Sequence, residues 1–446
     1  MQISAPTLRR WLGPLPKRRE AHAMAWLALA IGVALCGVSV LLGFEGRSFL
    51  GRPLGGDFVE FYTIGKILNQ YAPARIYDLR LATSLQHAAL PSMSETQMLV
   101  FGQAPFIASL FRPFALLPYA WAYVAWLGFS AGLYLASLAL LFRTVHLNAQ
   151  DGKTGFLLAL SVTPFLFETW IGGQMSVVVF FIWVLFFWCL ENDRGVIAGF
   201  GAGFVLALCL FKPTLVWLPA LMLMVGRRWR VVGGLAAGGI AMALLSLATV
   251  GVNGCRGWLA ALAMNRNTVA QAGEARHLAK SVDILAFSHL LFANWPAVAG
   301  IAAIAVAVIA LAWLGREWWR SDNARMDPRL WAATLCFTLV VNPYVPIYDS
   351  ILVVCAVALV AASMEQVPAG WLLALYLIPW VTQSFAEFLH LQLLTVALLA
   401  FGIWALENAG KLSLGHSRLW QEESTMPRRV GPRATGRFQV RSRGLP

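Results

Sequence analysis

Long apolar segments separated by short polar stretches dominate this chain. The first of them, residues 25–44, carries no charged residue, and about 20 such positions are enough to cross a bilayer as a helix. Similar segments recur to the end of the chain, although several are close to the lower length limit for a span. The pattern predicts an all-α polytopic membrane protein with about twelve transmembrane helices, at residues 25–44, 118–142, 155–171, 175–190, 195–211, 214–226, 231–252, 295–314, 330–342, 350–364, 371–386 and 390–406.

The loop after the first predicted span, residues 45–104, contains a different pattern. It begins with Gly-Gly-Asp, and apolar residues then recur at steps of three and four along GGDFVEFYTIGKILNQ. This periodicity predicts an amphipathic helix lying on the membrane surface, with Asp57 at its first turn. Phe58, Phe61, Ile64 and Leu68 form its apolar face.

The other segments outside the predicted spans complete the domain organisation. Residues 1–24 form a basic N-terminus, and residues 25–407 form the membrane domain. Residues 253–294 form a second large loop, predicted to contain another interfacial helix. Residues 105–117 are apolar but too short to span, which favours an interfacial or re-entrant segment. The tail, 408–446, is basic and rich in Pro and Gly, so we expect disorder.

Charge placement orients the predicted helices. The chain is 59% hydrophobic and only 12% charged, and its net charge is +13. Most of the Lys and Arg residues fall in loops and tails on one predicted side, which is the usual distribution on the cytoplasmic side of a membrane. We therefore expect cytoplasmic termini, a multi-pass protein of the cell (inner) membrane, and no binding to nucleic acid. The six cysteines show no CxxC or Cys/His spacing, so we expect neither a disulfide framework nor a metal site.

Several polar residues on the predicted outer side could carry chemistry. Asp57 is the first candidate, although an Asp at a helix start is often only an N-cap, as we expect for Asp78. Glu60 and Tyr62 follow on the same helix, and a solvated interfacial charge is the simpler interpretation of Glu60. Gln174 lies at a turn between two predicted spans.

Cations on the same side suggest a site for an anion. Lys212 either extends to the interface or faces a lipid phosphate. Arg276, His277 and Lys280 form either a solvated loop or a phosphate clamp, because an anionic headgroup needs several donors.

A late loop adds Tyr344, Tyr348 and Asp349, with helix capping as the alternative role for Asp349. Tyr119, Trp121 and Trp126 are typical of an interfacial aromatic belt.

These motifs together resemble glycosyltransferase family 87, the polyprenol-phosphate-mannose-dependent α-mannosyltransferases. The similarity lies in GGDFVEFYTIGKILNQYAPARIYD (55–78), APFIASLFRPFALLPYAWAYVAW (104–126), the Gly-Gln pair at 173–174, LFKPTLVWLPALMLMVGRRWR (210–230) and NPYVPIYDSILVV (342–354). The resemblance implies a GT-C fold, a periplasmic active site, a polyprenyl-phosphate-sugar donor and a lipid or glycan acceptor. It places the catalytic aspartate of the first loop at Asp57. Many family members have histidine in the late motif, where this chain has Tyr348 and Asp349.

A lipid phosphate leaves as a stable anion, so one carboxylate that deprotonates the acceptor hydroxyl suffices, unlike the two that a glycosidase uses. We therefore expect an inverting transferase that needs a single base, and the resemblance implies that the base is Asp57 and the hexose mannose. The sequence shows no acidic cluster suited to a divalent ion, so we expect neither metal nor cofactor. Two alternatives stay open. A transporter or flippase would need ionisable residues deep in its spans, and these are nearly absent. A non-catalytic scaffold for envelope assembly would keep the same helices.

Overall fold

The fold is seen in a computed structural model, which describes residues 18–45, 54–93, 99–146, 149–192, 199–271, 275–321, 327–364 and 367–408. These residues belong to one unit, Met1–Ala409. The predicted basic tail and most of the basic N-terminus lie outside the described residues.

Helices make up the described chain, and the only strand-like pairing in these ranges is an isolated bridge between Ser281 and Pro346. The α-helices are α1 (Arg18–Phe44), α2 (Phe58–Gln70), α3 (Leu79–Ala89), α4 (Tyr119–Thr144), α5 (Ala149–Leu160), α6 (Ser176–Asn192), α7 (Phe200–Ala207), α8 (Trp217–Val225), α9 (Trp229–Gln271), α10 (Ala275–Lys280), α11 (Ile284–Leu291), α12 (Pro296–Arg320), α13 (Pro328–Val341), α14 (Val353–Ala362), α15 (Ala369–Leu389) and α16 (Leu393–Glu407). Short 3₁₀ helices connect them at Pro73–Tyr77, Pro105–Phe111, Phe114–Leu116, Leu208–Phe211, Pro213–Leu215 and Ile347–Leu352, and a π-helix forms at Pro164–Ile171.

Five of the described helices, α1, α4, α9, α12 and α15, are long and apolar enough to cross a membrane. The pair formed by α5 and the π-helix is bent by 44° and would make a sixth span. Six shorter apolar helices of 10–17 residues account for the other predicted segments. The chain is thus an all-helical, multi-pass membrane protein, and the count of twelve spans stays a prediction.

The helix after Asp57 is not a surface helix, and here the prediction was wrong. Ten of its 13 residues are buried, because protein covers both of its faces. Ile76, Tyr77 and Gln86 lie beside Glu60 on the polar face, and the 3₁₀ helices that precede α4 pack against Phe61 and Gly65 on the other side. Gly65 permits this contact, since a Cβ at that position would lie 2.4 Å from the carbonyl oxygen of Phe111. The predicted interfacial segment, 105–117, therefore packs on α2 on one side, whereas Leu116 is 76% exposed, and its place at an interface stays a prediction.

Aromatic side chains fill the space between α2 and α4. Phe58 stacks on Trp126 with ring centroids 5.6 Å apart, and Phe61 stacks on Phe111 at 4.9 Å. Trp126 is completely buried and Tyr119 nearly so, whereas Trp121 is 58% exposed. Of the three residues predicted for the aromatic belt, only Trp121 faces outward, so α2 is anchored in the protein core.

The second predicted loop begins within α9, close to a kink that joins two helical parts. α9 continues through residue 253, with Gly251 at φ 67° and ψ −178° interrupting its helical geometry. The interruption separates the predicted span from the predicted interfacial helix, which is the C-terminal part of α9. The loop ends in a cluster of hydrogen bonds: Gln392 Nε2 donates to the carbonyl oxygens of Ala279 (2.8 Å) and Ser281 (3.1 Å), and Thr395 Oγ1 donates to that of Val282 (2.8 Å).

Candidate active site

Two glycine pairs, Gly55–Gly56 and Gly172–Gly173, lie against each other at the start of α2 and fix the position of Asp57. We call this contact the glycine crossing. Gly55 and Gly56 have φ values of 77° and 49°, and Gly173 has a φ of 69°. Positive φ angles of this kind favour glycine at all three positions. A Cβ on Gly173 would lie 2.3 Å from the carbonyl oxygen of Gly55, and one on Gly56 would lie 2.7 Å from that of Gly172. The Asp57 N–H donates to the Gly172 carbonyl oxygen at 3.0 Å. Backbone contacts therefore hold Asp57 against the turn that follows the π-helix.

The Asp57 carboxylate does not cap its helix. Asp57 stands at the N-cap position of α2, but its side chain makes no capping hydrogen bond. Instead, Gln174 Nε2 donates to Asp57 Oδ2. Asp78 behaves as predicted for an ordinary cap, since its Oδ1 accepts from the Leu81 N–H at 3.2 Å. Asp57 is therefore bound by a segment distant in the chain and does not cap its own helix.

A second buried carboxylate, Asp349, pairs with Lys212. Lys212 Nζ lies 2.6 Å from Asp349 Oδ1 and 4.5 Å from the centroid of the Tyr348 ring. Ser176 Oγ donates to the same carboxylate oxygen at 3.3 Å, whereas Oδ2 is buried without a hydrogen-bond partner. Lys212 therefore does not extend to the interface, and Asp349 does not cap a helix.

The segment 174–176 connects the two carboxylates, because Gln174 binds Asp57 and Ser176 binds Asp349. Two residues of extended chain span at most about 7 Å, so Asp57 and the Lys212–Asp349 pair occupy the same corner of the protein. We call this corner the candidate site, and it consists of Asp57, Gln174, Ser176, Lys212 and Asp349.

The loop 342–349 forms one wall of the candidate site. Asn342 is buried, and its Oδ1 accepts from Trp217 Nε1. Tyr344 follows with a φ of 61° and is 44% exposed. Partial burial, together with the charges of Asp57 and Asp349, raises the pKa of Tyr344 to about 12, so it stays a neutral hydrogen-bonding group beside them.

Asp283 holds this wall in place and was not among the predicted residues. Its Oδ1 accepts from the Ala286 N–H at 2.8 Å, which caps α11, and its Oδ2 accepts from the Val345 N–H at 3.1 Å. The Val282 N–H also donates to the Val345 carbonyl oxygen at 2.8 Å. The sequence signal was an Asp directly before the apolar run ILAF, which is typical of an N-cap.

Glu60 lies one turn after Asp57 and is buried, with 7% of its surface exposed. The prediction of a solvated interfacial charge was therefore wrong. Burial, and then the nearby charge of Asp57, raise the pKa of Glu60 well above its ordinary value. Such a carboxyl keeps its proton to a higher pH than an ordinary glutamate does.

The remaining predicted ligands are less closely gathered. Tyr62 is buried, and its hydroxyl donates to the Leu117 carbonyl oxygen at 3.0 Å, so it packs α2 rather than facing the site. Lys280 is exposed at the end of α10. The side chains of Arg276 and His277 lie outside what the structure describes, so the predicted phosphate clamp stays a prediction.

A large apolar groove lies along α14. It encloses about 670 Å³, and its wall includes Ser350, the residue after Asp349. From there it follows α14 towards that helix's C-terminal end, between α5 and α15. Tyr376 lines one side of the groove, and its hydroxyl is hydrogen bonded to that of Ser161 at 3.0 Å. The lining is mainly aliphatic and includes Leu158, Val353, Val357, Ala361, Leu375 and Leu394.

The model of glycosyltransferase family 87 matches residues 101–343, more than half of the chain. The protein belongs to glycosyltransferase family 87. This confirms the family that the motifs suggested and supports a membrane glycosyltransferase with a sugar donor and an acceptor as substrates.

The match covers only part of the candidate site of this family 87 protein. It includes Gln174, Ser176, Lys212 and Asp283, but begins after Asp57 and ends before Tyr344 and Asp349. The comparison therefore supports the reaction class, and it does not test the role of Asp57. Curated proteins and solved structures contain no significant match to the chain. In the described ranges, no group of three His, Cys, Asp or Glu residues could hold a metal ion.

Proposed function

We propose that this protein transfers a hexose, specifically mannose, from a polyprenyl-phosphate donor to a hydroxyl group of a lipid or glycan acceptor. Asp57 acts as the general base. The observation that carries the proposal is the position of Asp57: its carboxylate does not cap α2, is held by Gln174, and shares a corner with a lysine. A base and a cation in one corner suit a reaction in which a hydroxyl loses a proton while a phosphate gains charge.

The proposed reaction is a direct displacement. Asp57 takes the proton of the acceptor hydroxyl, and the oxygen attacks the anomeric carbon. The bond between that carbon and the phosphate oxygen breaks, and its electron pair stays on the polyprenyl phosphate. The anomeric configuration inverts, and the step needs no general acid because the phosphate leaves as an anion. General base catalysis of this kind contributes about 10²–10⁴-fold to the rate.

Lys212 has the complementary role in this proposal. Its ammonium lies over Tyr348 and against Asp349, with 22% of the side chain exposed, so it can reach a phosphate without leaving its partners. A positioned cation stabilises the charge that collects on the leaving phosphate. Tyr344 and Tyr348 would then offer hydroxyl and aromatic surface to the sugar.

The apolar groove is suited to the lipid chain of the donor. Its wall includes Ser350, the residue after Asp349, and it follows α14 for about 14 Å, at the helical rise of 1.5 Å per residue. Hydrocarbon can pass from the bilayer into this lining at little cost, because lipid tails and aliphatic side chains are equally apolar. The groove would orient the sugar by fixing the phosphate at its end.

The GT-C fold and the orientation in the membrane belong to the same proposal. Arg143, Arg227, Arg320 and Arg329 lie at helix ends or in the adjoining loops, and an excess of Lys and Arg beside the spans favours the cytoplasmic side. We therefore place the termini in the cytoplasm and the candidate site on the periplasmic face of the inner membrane.

The test is transfer from a labelled polyprenyl-phosphate hexose by the purified protein with a membrane lipid extract as acceptor. Asp57→Asn should lower the transfer rate by about 10²–10⁴-fold while the protein still folds. Asp78→Asn is the matched control, because asparagine is as good an N-cap as aspartate, and it should transfer at the wild-type rate. Wild-type activity in Asp57→Asn would overturn the mechanism.

A further inference from the structure

Glu60 is a buried carboxyl without a hydrogen-bonding environment suited to a charge. Its Oε1 atom is enclosed and has no hydrogen-bond partner. Across the described ranges, no lysine, arginine or histidine forms an ion pair with it. An isolated ionised carboxylate in such a place is costly, and a buried group of this kind takes up a proton instead.

The two other polar side chains that line the cavity beside Glu60 are already engaged. A small cavity beside it is lined by Ile64, Tyr77, Gln86 and Phe101, among others. The Gln86 side chain donates to the Leu99 carbonyl oxygen at 2.8 Å and accepts from the Leu99 N–H at 3.1 Å. The Tyr77 hydroxyl donates to the Gln103 carbonyl oxygen at 2.7 Å. Neither residue is therefore arranged to stabilise a negative charge on Glu60.

Three titratable groups complete the surroundings of Glu60. Asp57 lies one helical turn away on α2, and its charge acts on Glu60. On the loop 342–349, Tyr344 and Tyr348 lie within electrostatic reach of both carboxyls. Because the two tyrosines are neutral, Asp57 is the charged group that Glu60 faces.

We propose that Glu60 is the proton-bearing member of a carboxyl pair with Asp57, and that it acts as a positioning residue that confines the negative charge to Asp57. Two carboxyls that share a site do not both ionise readily, and their environments decide which one keeps the proton. Here the enclosed member keeps it, while the partly exposed member, bound by Gln174, carries the charge.

The consequence for catalysis rests on the proposed function, whereas the carboxyl pair does not. Lys212 is already neutralised by Asp349, so a second negative charge at Glu60 would repel an anionic lipid phosphate. With Glu60 neutral, the donor phosphate faces the single negative charge of Asp57. Asp57 is then also free to take the proton of the acceptor hydroxyl.

The pair can be tested by thermal unfolding of purified protein, without any activity assay. Because the pKa of Glu60 is raised in the folded state, the folded protein keeps a proton that the unfolded chain releases above a pKa of about 4.3. Wild-type stability should therefore fall as the pH rises towards the raised value, relative to Glu60→Gln, which cannot ionise. We expect the midpoint difference to grow by about 1–2 °C per pH unit. Glu387→Gln, which removes an exposed carboxyl on α15, controls for the loss of an acidic residue.

The same comparison in an Asp57→Asn background tests the pairing. Without the charge of Asp57, Glu60 should ionise at lower pH. The pH-dependent difference in unfolding midpoint between the Asp57→Asn variant and the Asp57→Asn, Glu60→Gln double variant should therefore be smaller than the difference between the wild type and Glu60→Gln. A midpoint difference that does not change with pH, or that is identical in both backgrounds, would overturn the proposal.

A kinetic measurement tests the consequence for catalysis. In the wild type, the KM for the lipid-phosphate donor should rise on the alkaline side as Glu60 ionises, with little change in kcat, and in Glu60→Gln it should stay constant. Superimposable KM profiles would remove the positioning role. If thermal unfolding shows the pair and no variant transfers sugar, the proposed function fails and the carboxyl pair stands.

Discussion

Replacing Lys212 by methionine removes the cation that is paired with a buried carboxylate in the candidate site. Asp349 is 1% exposed, and its Oδ1 atom would keep only the Ser176 hydroxyl at 3.3 Å. Breaking a buried ion pair on one side costs about 3–5 kcal/mol, because the remaining charge is uncompensated. We expect Lys212→Met to lose about that much stability in thermal unfolding of the purified protein.

The double variant separates the two roles of the lysine. Lys212→Met with Asp349→Asn removes both charges, and replacing a whole buried pair is often neutral, so stability should return close to that of the wild type. Transfer should not return if Lys212 contacts the donor phosphate. A hydrogen bond to a charged group contributes about 1.5–3 kcal/mol, which corresponds to a loss of about ten- to hundredfold in kcat/KM.

Two results would refute this reasoning. A Lys212→Met variant as stable as the wild type would show that the pair has no structural role. A double variant that transfers sugar at the wild-type rate would show that Lys212 only neutralises Asp349.

Three further predictions follow from contacts near the site. Gly173→Ala should abolish transfer, because its Cβ would lie 2.3 Å from the Gly55 carbonyl oxygen, and a transfer assay checks this. Ala361→Phe should obstruct the groove and raise the KM for long-chain donors more than for short-chain ones; equal effects would contradict the groove as the lipid site. Asp283→Asn should lower the free energy of unfolding by about 1–3 kcal/mol, because its amide NH₂ would face an N–H donor at Ala286 or Val345. Unchanged stability in thermal unfolding would contradict the role of Asp283 in holding the loop 342–349.

The sequence predicted the elements better than their environment. Hydrophobic periodicity located the apolar helices, and the Asp78 cap followed from local chemistry. The burial of α2 could not be predicted, because the residues that cover it, such as Gln86 beside Glu60 and Phe111 against Gly65, are distant from it in the chain. A periodic pattern shows which face is apolar, but not whether protein or water covers the other face.

The candidate site was predicted as a set of residues and not as an arrangement. Gln174, Lys212 and Asp349 were all candidates, yet the pairing of Lys212 with Asp349 joins positions 137 residues apart. Nothing local to either residue specifies such a contact. The glycine pairs on both sides of the Asp57–Gln174 contact were visible in the sequence, and they were a signal that two backbones approach closely.

The glycine crossing also separates the parts of the protein that can change from those that cannot. Asp57 is located by main-chain atoms, so the aromatic residues behind α2 can be exchanged for others of similar volume with an effect mainly on stability. In a library randomised at Phe58 and Trp126, many clones that fold should still transfer sugar. In a library randomised at Gly55 and Gly173, folded clones should be rare and inactive. The glycine crossing is thus a point of low mutational tolerance inside a core that tolerates substitution.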